Sequence, residues 1–250
     1  MSKYIANKLF NDKLSIYVTE CLSTNDFLTN LLKRDKIGEG DSVTTDYQHK
    51  GRGQRNNNWF SEKGSNILFS FLLTPGLKVK NQFSLHVIIS NAIIKTLKKI
   101  NVEGKVKWPN DIFVKGKKIG GVLIESFISG KKVQNSIIGI GINLNQKTFK
   151  GLNATSVFIE KKKVIKKSAF MKILKESLEI EYFNSIMNLN KAIKEYKNLL
   201  YGLNKIKKFK SSSKIFYAEI IDVSKNGDII LNLDNKQKSF SYGSISLFKD

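Results

Sequence analysis

Between residues 105 and 143 the chain alternates strand-like apolar segments with short breaks, two of which contain Gly116 and Gly130. Short glycine-containing connections of this kind usually join neighbouring antiparallel strands. The region therefore predicts a sheet that is mainly antiparallel or mixed. Its expected strands are 105–108, 111–115, 119–127 and 134–143.

The preceding residues predict two helices and two strands, together with a long polar loop. Residues 66–74 form a nearly continuous apolar run, as in a strand that is buried on both faces. The stretch 47–64 holds three glycines and three consecutive asparagines, which predicts the loop. The helices, inferred from apolar residues at helical spacing, are 24–34, with Ser23 or Thr24 available to cap it, and 81–100, and the second strand is 42–46.

The C-terminal part of the chain contains three segments with different sequence patterns. A lysine-rich stretch at 145–166 predicts a loop, and residues 168–200 predict one or two amphipathic helices. Short alternating strands follow, with a turn signal at Asn226-Gly227, and these predict a small β-barrel. We therefore expect an α+β fold: a mixed, largely antiparallel sheet with packed helices in residues 1–203, and the barrel in residues 204–250.

The net charge of +22 allows two interpretations. A dense basic surface can bind the phosphate backbone of nucleic acids. However, only three of the 43 basic residues are arginines, and the lysines are spread along the chain, as on a solvated surface coated with lysine. Nucleic-acid binding is therefore the less favoured interpretation. Two of the three arginines, Arg52 and Arg55, stand close together in the polar loop.

Cysteine content and hydropathy exclude several other classes of protein. A single cysteine, Cys21, excludes a disulfide framework and a zinc site built from cysteines. No apolar segment has the length of a signal peptide or of a transmembrane helix. The expected location is therefore the cytoplasm, without a membrane partner.

The first candidate site is the sequence QHKGRGQRNNNW at 48–59. Glycines on either side of Arg52 allow the backbone to approach a ligand closely. The guanidinium groups of Arg52 and Arg55 suit a phosphate or a carboxylate, and Trp59 offers an apolar anchor that can close over a ring. Taken alone, the stretch is also typical of a surface hairpin whose arginines are solvated.

The sequence KWPND at 107–111 places polar side chains at a strand end, because a proline cannot donate to the ladder. Lys107 offers a positive charge, and Asp111 could hold a magnesium ion or orient a ribose or an amine. An ordinary turn with a solvated lysine has the same pattern. Similar alternatives, a helix cap or tight strand packing, apply to STN at 23–25, KKIGGVLIE at 117–125 and GIGINLN at 139–145.

These segments follow one another over about residues 18–145 in the order STN, QxxGRGxxxxxW, SxxGxNxxxS, KWPND, KxxGxLxE and GxGxN. This succession closely resembles the biotin–protein ligase family, and YGSISL at 242–247 resembles the usual ending of that family's C-terminal domain. The resemblance implies a core similar to class II synthetases, followed by an SH3-like β-barrel. It also implies that biotin and ATP, with Mg²⁺, form biotinyl-5′-adenylate, and that biotin then passes to a lysine of a biotin carboxyl carrier domain.

The resemblance assigns expected roles to individual positions. The expected biotin-binding residues are Ser23, Thr24, Asn25, Gln48, Arg52, Gly53, Gln54, Trp59, Lys118, Gly121, Gly139 and Gly141. The expected adenylate-binding residues are Arg52, Arg55, Asn110, Asp111 and Asn143. The expected catalytic residues are Arg52, Lys107, Lys118 and Asp111, of which Asp111 is also expected to hold Mg²⁺.

The chain departs from the family's pattern at two places. Where the loop usually reads GRGRxGR, this chain has Gln54, Asn56 and Asn57, so we expect an active enzyme that retains the adenylate less tightly. The segment 147–160 lacks the tryptophan with which some relatives cover the adenine, and Phe149 or Phe158 is expected to replace it.

The remaining expectations concern partners and alternatives. Because STN begins at residue 23, the chain resembles relatives without an N-terminal DNA-binding domain, and no specific DNA binding is expected. A lipoate–protein ligase or octanoyltransferase shares the fold, but KWPND together with GRGQ favours biotin. Within the ligase interpretation, the positive charge could steer acidic carrier domains. The sequence leaves open whether the protein is a monomer or a homodimer.

Overall fold

The computed structural model describes residues 9–212 and 214–248, which form two sheets and five helices. The strands of the larger sheet are β1 (Ser15–Cys21), β2 (Ser42–Gln48), β3 (Ile67–Leu73), β4 (Lys105–Lys107), β5 (Asp111–Val114), β6 (Lys117–Ser129) and β7 (Lys132–Ile142). The helices are α1 (Thr24–Leu32), α2 (Phe83–Lys99), α3 (Val157–Lys161), α4 (Lys167–Met187) and α5 (Leu189–Asn198). The strands of the smaller sheet are β8 (Ile206–Ser211), β9 (Ile215–Val223), β10 (Ile229–Leu233), β11 (Lys236–Phe240) and β12 (Ile245–Leu247).

The larger sheet has the strand order β1-β2-β3-β7-β6-β5-β4. Its β1–β2 pair is parallel, whereas the other neighbouring pairs are antiparallel. The smaller sheet is antiparallel throughout, in the order β11-β10-β9-β8-β12, and agrees with an SH3-like barrel. The expected α+β fold with a mixed, largely antiparallel sheet is confirmed.

The expected boundary between the two parts of the chain lies in the connection from α5 to β8 and stays a prediction. Residues 1–8, 213 and 249–250 of those two parts lie outside the described residues. None of the helices described here is both long and apolar enough to cross a membrane.

The two faces of β3 are covered by different helices, because successive side chains of a strand point to opposite sides. Phe69 and Phe71 belong to the large core that includes α2, whereas Leu72 packs with Leu28 of α1 in a smaller core. Burial of each such side chain stabilises the fold by roughly 1.5–3 kcal/mol. All of β3 is buried, which confirms the expected strand, and Ser70 faces the start of α1.

Three local features differ from the sequence-based expectations. Part of the expected 145–166 loop is α3, which is stabilised by the Ser156 hydroxyl accepting a hydrogen bond from the amide of Ile159 at 3.2 Å and by the buried Val157. Ser23 takes the N-cap position of α1 but makes no capping hydrogen bond there, since the neighbouring polar side chains turn towards the sheet. The edge strand β1 was not expected, because most of its residues are exposed and its strand pattern is weak.

Candidate active site

A cavity of about 960 Å³ opens on the face of the sheet that carries α1. Every residue that the sequence assigned to biotin binding, adenylate binding or catalysis lines this cavity. The lining also includes most of residues 51–59, which we call the lid loop, and parts of the smaller sheet. Side chains that are distant in the sequence therefore meet around one space.

One end of the cavity is a polar recess at the start of α1. The Oε1 atom of Gln48 accepts hydrogen bonds from the amide of Thr24 at 2.8 Å and from its hydroxyl at 3.0 Å. Asn25 accepts a hydrogen bond from the Ser70 hydroxyl at 2.7 Å and donates one to Glu125 at 2.7 Å. Because Thr24, Asn25 and Ser70 are buried and held by these bonds, the recess has fixed polar groups that suit a small polar ring.

The floor of the recess is made by glycines of β7, next to Asn25 and Trp59. A Cβ atom at Gly139 would lie 2.3 Å from Oδ1 of Asn25, and one at Gly141 would lie 2.6 Å from the indole ring of Trp59. No larger side chain fits at either position without displacing these neighbours. Glycines here let Asn25 and Trp59 lie directly on the backbone of the strand.

The lid loop is closed on itself by backbone hydrogen bonds. The amide of Trp59 donates to the carbonyl of Gly51 at 2.8 Å, and the amide of Gly53 donates to the carbonyl of Asn57 at 2.6 Å. Between them, Arg55 has a φ of 55°, in the left-handed region that non-glycine residues seldom adopt. The loop is therefore an ordered turn with Arg55 at its tip.

Arg52 is paired with two carboxylates. Its Nη2 atom lies 2.6 Å from Oδ1 of Asp26 on α1 and 2.9 Å from Oε1 of Glu125 on β6. These pairs are partly exposed and contribute little to stability. They do orient the guanidinium, which has five N–H donors in all, so that it can also meet an anion in the cavity.

Asp111 and Lys118 form the charged centre of the cavity. Oδ1 of Asp111, at the start of β5, lies 2.6 Å from Nζ of Lys118 on β6. The ammonium group of Lys118 also lies 5.5 Å from the ring centroid of Trp59, and that of Lys107 lies 5.1 Å from the ring centroid of Phe113. Two lysines, one carboxylate and two aromatic rings thus surround the middle of the cavity.

Asn110, Gly121 and Asn143 shape the cavity through close contacts. The amide nitrogen of Asn110 donates to the carbonyl of Val122 at 2.7 Å, and that of Asn143 donates to the carbonyl of Thr155 at 3.0 Å. A Cβ atom at Gly121 would lie 3.3 Å from Oδ1 of Asp111. The two amides therefore hold the turn before β5 and the segment before α3 in place, and their expected contact with a nucleotide stays a prediction.

The carboxylates of the cavity fit a dedicated metal cage poorly. No group of three or more histidine, cysteine, aspartate or glutamate side chains in residues 9–212 and 214–248 could hold a metal ion. Asp111 is the expected ligand, and its Oδ1 atom is already paired with Lys118. Magnesium in nucleotide sites is commonly bound by one or two carboxylates and the phosphates of the substrate. Asp111 fits only this second arrangement.

Four lining or supporting residues were not assigned a role from the sequence. Ser70 and Glu125 are the last positions of SxxGxNxxxS and KxxGxLxE, and Tyr242 begins YGSISL, so their motifs already marked them. Asp26 directly follows STN and had no signal of its own. Of the two phenylalanines expected near the adenine, Phe149 lines the cavity, and Phe158 is not among the lining residues.

Comparison with known proteins identifies biotin–protein ligases among the relatives of this chain. The model of the biotin/lipoate A/B protein ligase family matches residues 17–143, which is just over half of the chain. The bifunctional ligase/repressor BirA of Bacillus subtilis is 32% identical over 128 residues, which are 51% of this chain and 39% of that protein. Biotin–protein ligase 1 of Arabidopsis thaliana, a chloroplastic protein, is 33% identical over 132 residues, which are 49% of this chain and 34% of that protein.

The similarity therefore spans about two fifths of the Bacillus protein. Among solved structures, the biotin protein ligase of Aquifex aeolicus in complex with biotin and ATP superposes with a TM-score of 0.79 and 24% identity, over 95% of this chain and 100% of that one. At this identity the likeness concerns the fold. The family match runs from within β1 to just after the end of β7 and covers most of the segments that line the cavity. The chain belongs to the biotin/lipoate A/B protein ligase family.

Proposed function

We propose that this protein is a biotin–protein ligase, which condenses biotin with ATP to biotinyl-5′-adenylate and then transfers biotin to a lysine of a carrier domain. The observation that carries the proposal is the single cavity that joins the polar recess to the Asp111–Lys118 pair and the lid loop. The two ends of the cavity suit different parts of the substrates. The recess offers hydrogen bonds to the ring of biotin, and the charged centre receives the carboxylate and the phosphates.

In the first step an oxygen of the biotin carboxylate attacks the α-phosphorus of ATP. The bond from phosphorus to pyrophosphate breaks, so two anions must approach each other. Arg52, Lys107 and Lys118 line the cavity and would supply positive charge to the two anions. Fixed charges in a partly enclosed site stabilise the transition state because they need little reorganisation.

Mg²⁺ is part of the proposal as the partner of ATP. Asp111 would hold the ion together with the phosphates of the nucleotide, and the ion would screen the phosphate charge. Lys118 lies within ion-pair distance of the same carboxylate, so both cations would act on the same region.

In the second step the amine of the carrier lysine attacks the mixed anhydride, and AMP leaves. Because the acyl group is already activated, this step needs mainly orientation and the exclusion of water. The lid loop, which includes Trp59, lines the cavity and would help to exclude water, and the Asp111 carboxylate at the centre can orient the amine or accept its proton.

Replacement of Asp111 by alanine is expected to slow the transfer of biotin about tenfold, because the incoming amine loses its orienting carboxylate. The measurement is single-turnover transfer from preformed adenylate to a carrier domain, with Asp111→Asn as the variant that keeps the shape and removes the charge. Wild-type rates in both half-reactions would refute the role given to Asp111.

Replacement of Gln54 by arginine is expected to slow the release of biotinyl-adenylate about fivefold, because a hydrogen bond from a charged donor to the adenylate outweighs the loss of the hydrogen bond that Oε1 of Gln54 accepts from Tyr242. The chain as it stands should release the adenylate faster than relatives with arginines in the loop. Release of radiolabelled adenylate into an excess of unlabelled biotin and ATP measures this. Gln237→Arg on the exposed strand β11 adds the same charge outside the cavity and should leave release unchanged. Tight retention by the unmodified chain would contradict the expectation.

The function is tested with the purified protein, MgATP, labelled biotin and a biotin carboxyl carrier domain. The expected result is label on the carrier that depends on ATP and is lost when the acceptor lysine of the carrier is replaced by arginine. Parallel reactions with lipoate and octanoate distinguish the other ligases of the family. Labelling by either of these acids in place of biotin would overturn the proposal. We also propose a cytoplasmic location, which cell fractionation would test. The protein is proposed to be a monomer or a homodimer, and sedimentation would distinguish the two.

A further inference from the structure

The tip of the lid loop contacts Tyr242, a residue of the C-terminal part of the chain. The hydroxyl of Tyr242 donates a hydrogen bond to Oε1 of Gln54. The guanidinium carbon of Arg55 lies 4.8 Å from the centroid of the Tyr242 ring, in cation–π geometry. Gln54 therefore contacts the hydroxyl of Tyr242, and Arg55 contacts the face of the same ring.

One residue on each side of this contact has a positive φ angle. Arg55 has a φ of 55°, and Gly243 has a φ of 102°. A Cβ atom at Gly243 would lie 2.4 Å from Nη2 of Arg55, so the guanidinium occupies the space that a side chain would fill. A left-handed conformation at arginine is unfavourable by itself and persists where surrounding contacts hold it.

Tyr242 is in turn supported by the KWPND turn. The indole of Trp108 packs edge-on against the Tyr242 ring, with 6.0 Å between the centroids. The indole N–H of Trp108 donates to the carbonyl of Gly227 at 2.8 Å, which ties this turn to the smaller sheet. Burial raises the pKa of the Tyr242 phenol above its usual value, although the charge of Arg55 acts in the opposite direction. The phenol is therefore protonated at neutral pH and acts as a donor to Gln54.

We infer that Tyr242 is a positioning residue that latches the lid loop over the cavity through Gln54 and Arg55. The C-terminal part of the chain thereby acts on the lid loop through the connection between β11 and β12. With the proposed function, on which this consequence rests, the latch slows the escape of the adenylate. It partly offsets the loss of lid arginines, because it uses Gln54 and Arg55 to close the loop.

The latch itself is tested in the ligand-free full-length protein by hydrogen exchange at the lid amides of Gly53, Asn57 and Trp59. Tyr242→Phe keeps the ring and removes the hydroxyl, and should speed exchange about threefold, whereas Tyr242→Ala should speed it about tenfold. Tyr217→Ala is the matched control, because Tyr217 lies on β9 of the smaller sheet, is 65% exposed and is not among the residues that line the cavity. Unchanged lid exchange in both Tyr242 variants would overturn the latch.

The consequence for the ligand is tested by the release of preformed biotinyl-adenylate, expected in the rank order Tyr242→Ala fastest, Tyr242→Phe intermediate and wild type slowest. Adding Tyr242→Phe to the Gln54→Ala variant should change release little further, because Gln54→Ala has already removed the hydrogen bond that the Tyr242 hydroxyl makes. Fast release with unchanged lid exchange would make Tyr242 a ligand contact and overturn the inference. If no variant, including the wild type, forms adenylate, the proposed function fails, while altered lid exchange still supports the latch.

Discussion

Replacement of Lys118 by glutamine is expected to slow biotin-dependent exchange of pyrophosphate into ATP about 10²–10³-fold. The ammonium group of Lys118 lies 2.6 Å from the Asp111 carboxylate and faces the cavity beside Trp59. Glutamine keeps most of the length of the side chain and removes the charge. The loss should therefore appear in the formation of the adenylate, where negative charge is concentrated.

The matched control for this prediction is Lys117→Gln. Lys117 is the preceding residue of β6, is exposed and points to the other face of the sheet, since side chains alternate along a strand. The same change of charge at this position should leave the exchange rate within a factor of about two, because isolated surface charges contribute little. Equal rates for the Lys118 and Lys117 variants would exclude a role of Lys118 in the chemistry.

Replacement of Gly139 by alanine is expected to weaken biotin binding about 10- to 100-fold, which corresponds to an overpacking cost of about 1–3 kcal/mol. The added methyl group would lie 2.3 Å from Oδ1 of Asn25, so Asn25 must leave the strand backbone. Its hydrogen bonds with Ser70 and Glu125 would then be lost together. Calorimetric titration measures the dissociation constant for biotin. The rate of adenylate formation from bound substrates should change much less.

Gly38→Ala is the control for this second prediction. A Cβ atom at Gly38 meets no other atom within 4 Å, so the methyl group is accommodated in solvent. Unfolding midpoints of both variants would separate a local change in the recess from a general loss of stability. Wild-type biotin affinity in Gly139→Ala would show that Asn25 can move at no cost and that the recess is not the ring-binding end.

The lid loop is held by side chains that lie outside it. Relative to the usual GRGRxGR pattern the loop has Gln54 and Asn57 in place of two arginines, which led to the expectation of loose adenylate retention. In the fold, Arg52 is held by Asp26 and Glu125, and the tip of the loop reaches Tyr242. Closure of this lid therefore depends on side chains outside the loop, and variants outside it should alter retention.

The order of the strands and helices along the chain was largely predictable from the sequence. The apolar run of β3, the helical spacing of α2 and the glycine breaks between β5, β6 and β7 are local patterns that report directly on local structure. The turn around Gly227, with a φ of 95°, followed from Asn226-Gly227 in the same way. Edge strand β1 was missed because most of its residues are exposed, and the five-residue helix α3 was missed because it is too short to show a helical periodicity.

By itself, the sequence determined which residue types surround the cavity, since the ordered motifs carry them. Only the tertiary structure decided how these residues are paired. Arg52 and Glu125 are 73 positions apart, and Gln54 and Tyr242 are 188 positions apart. Such contacts depend on strand register and on the docking of the smaller sheet, and neither leaves a periodic signal in the sequence. The lid loop is thus recognisable in the sequence, whereas the groups that hold Arg52 and the tip of the loop are evident only in the folded chain.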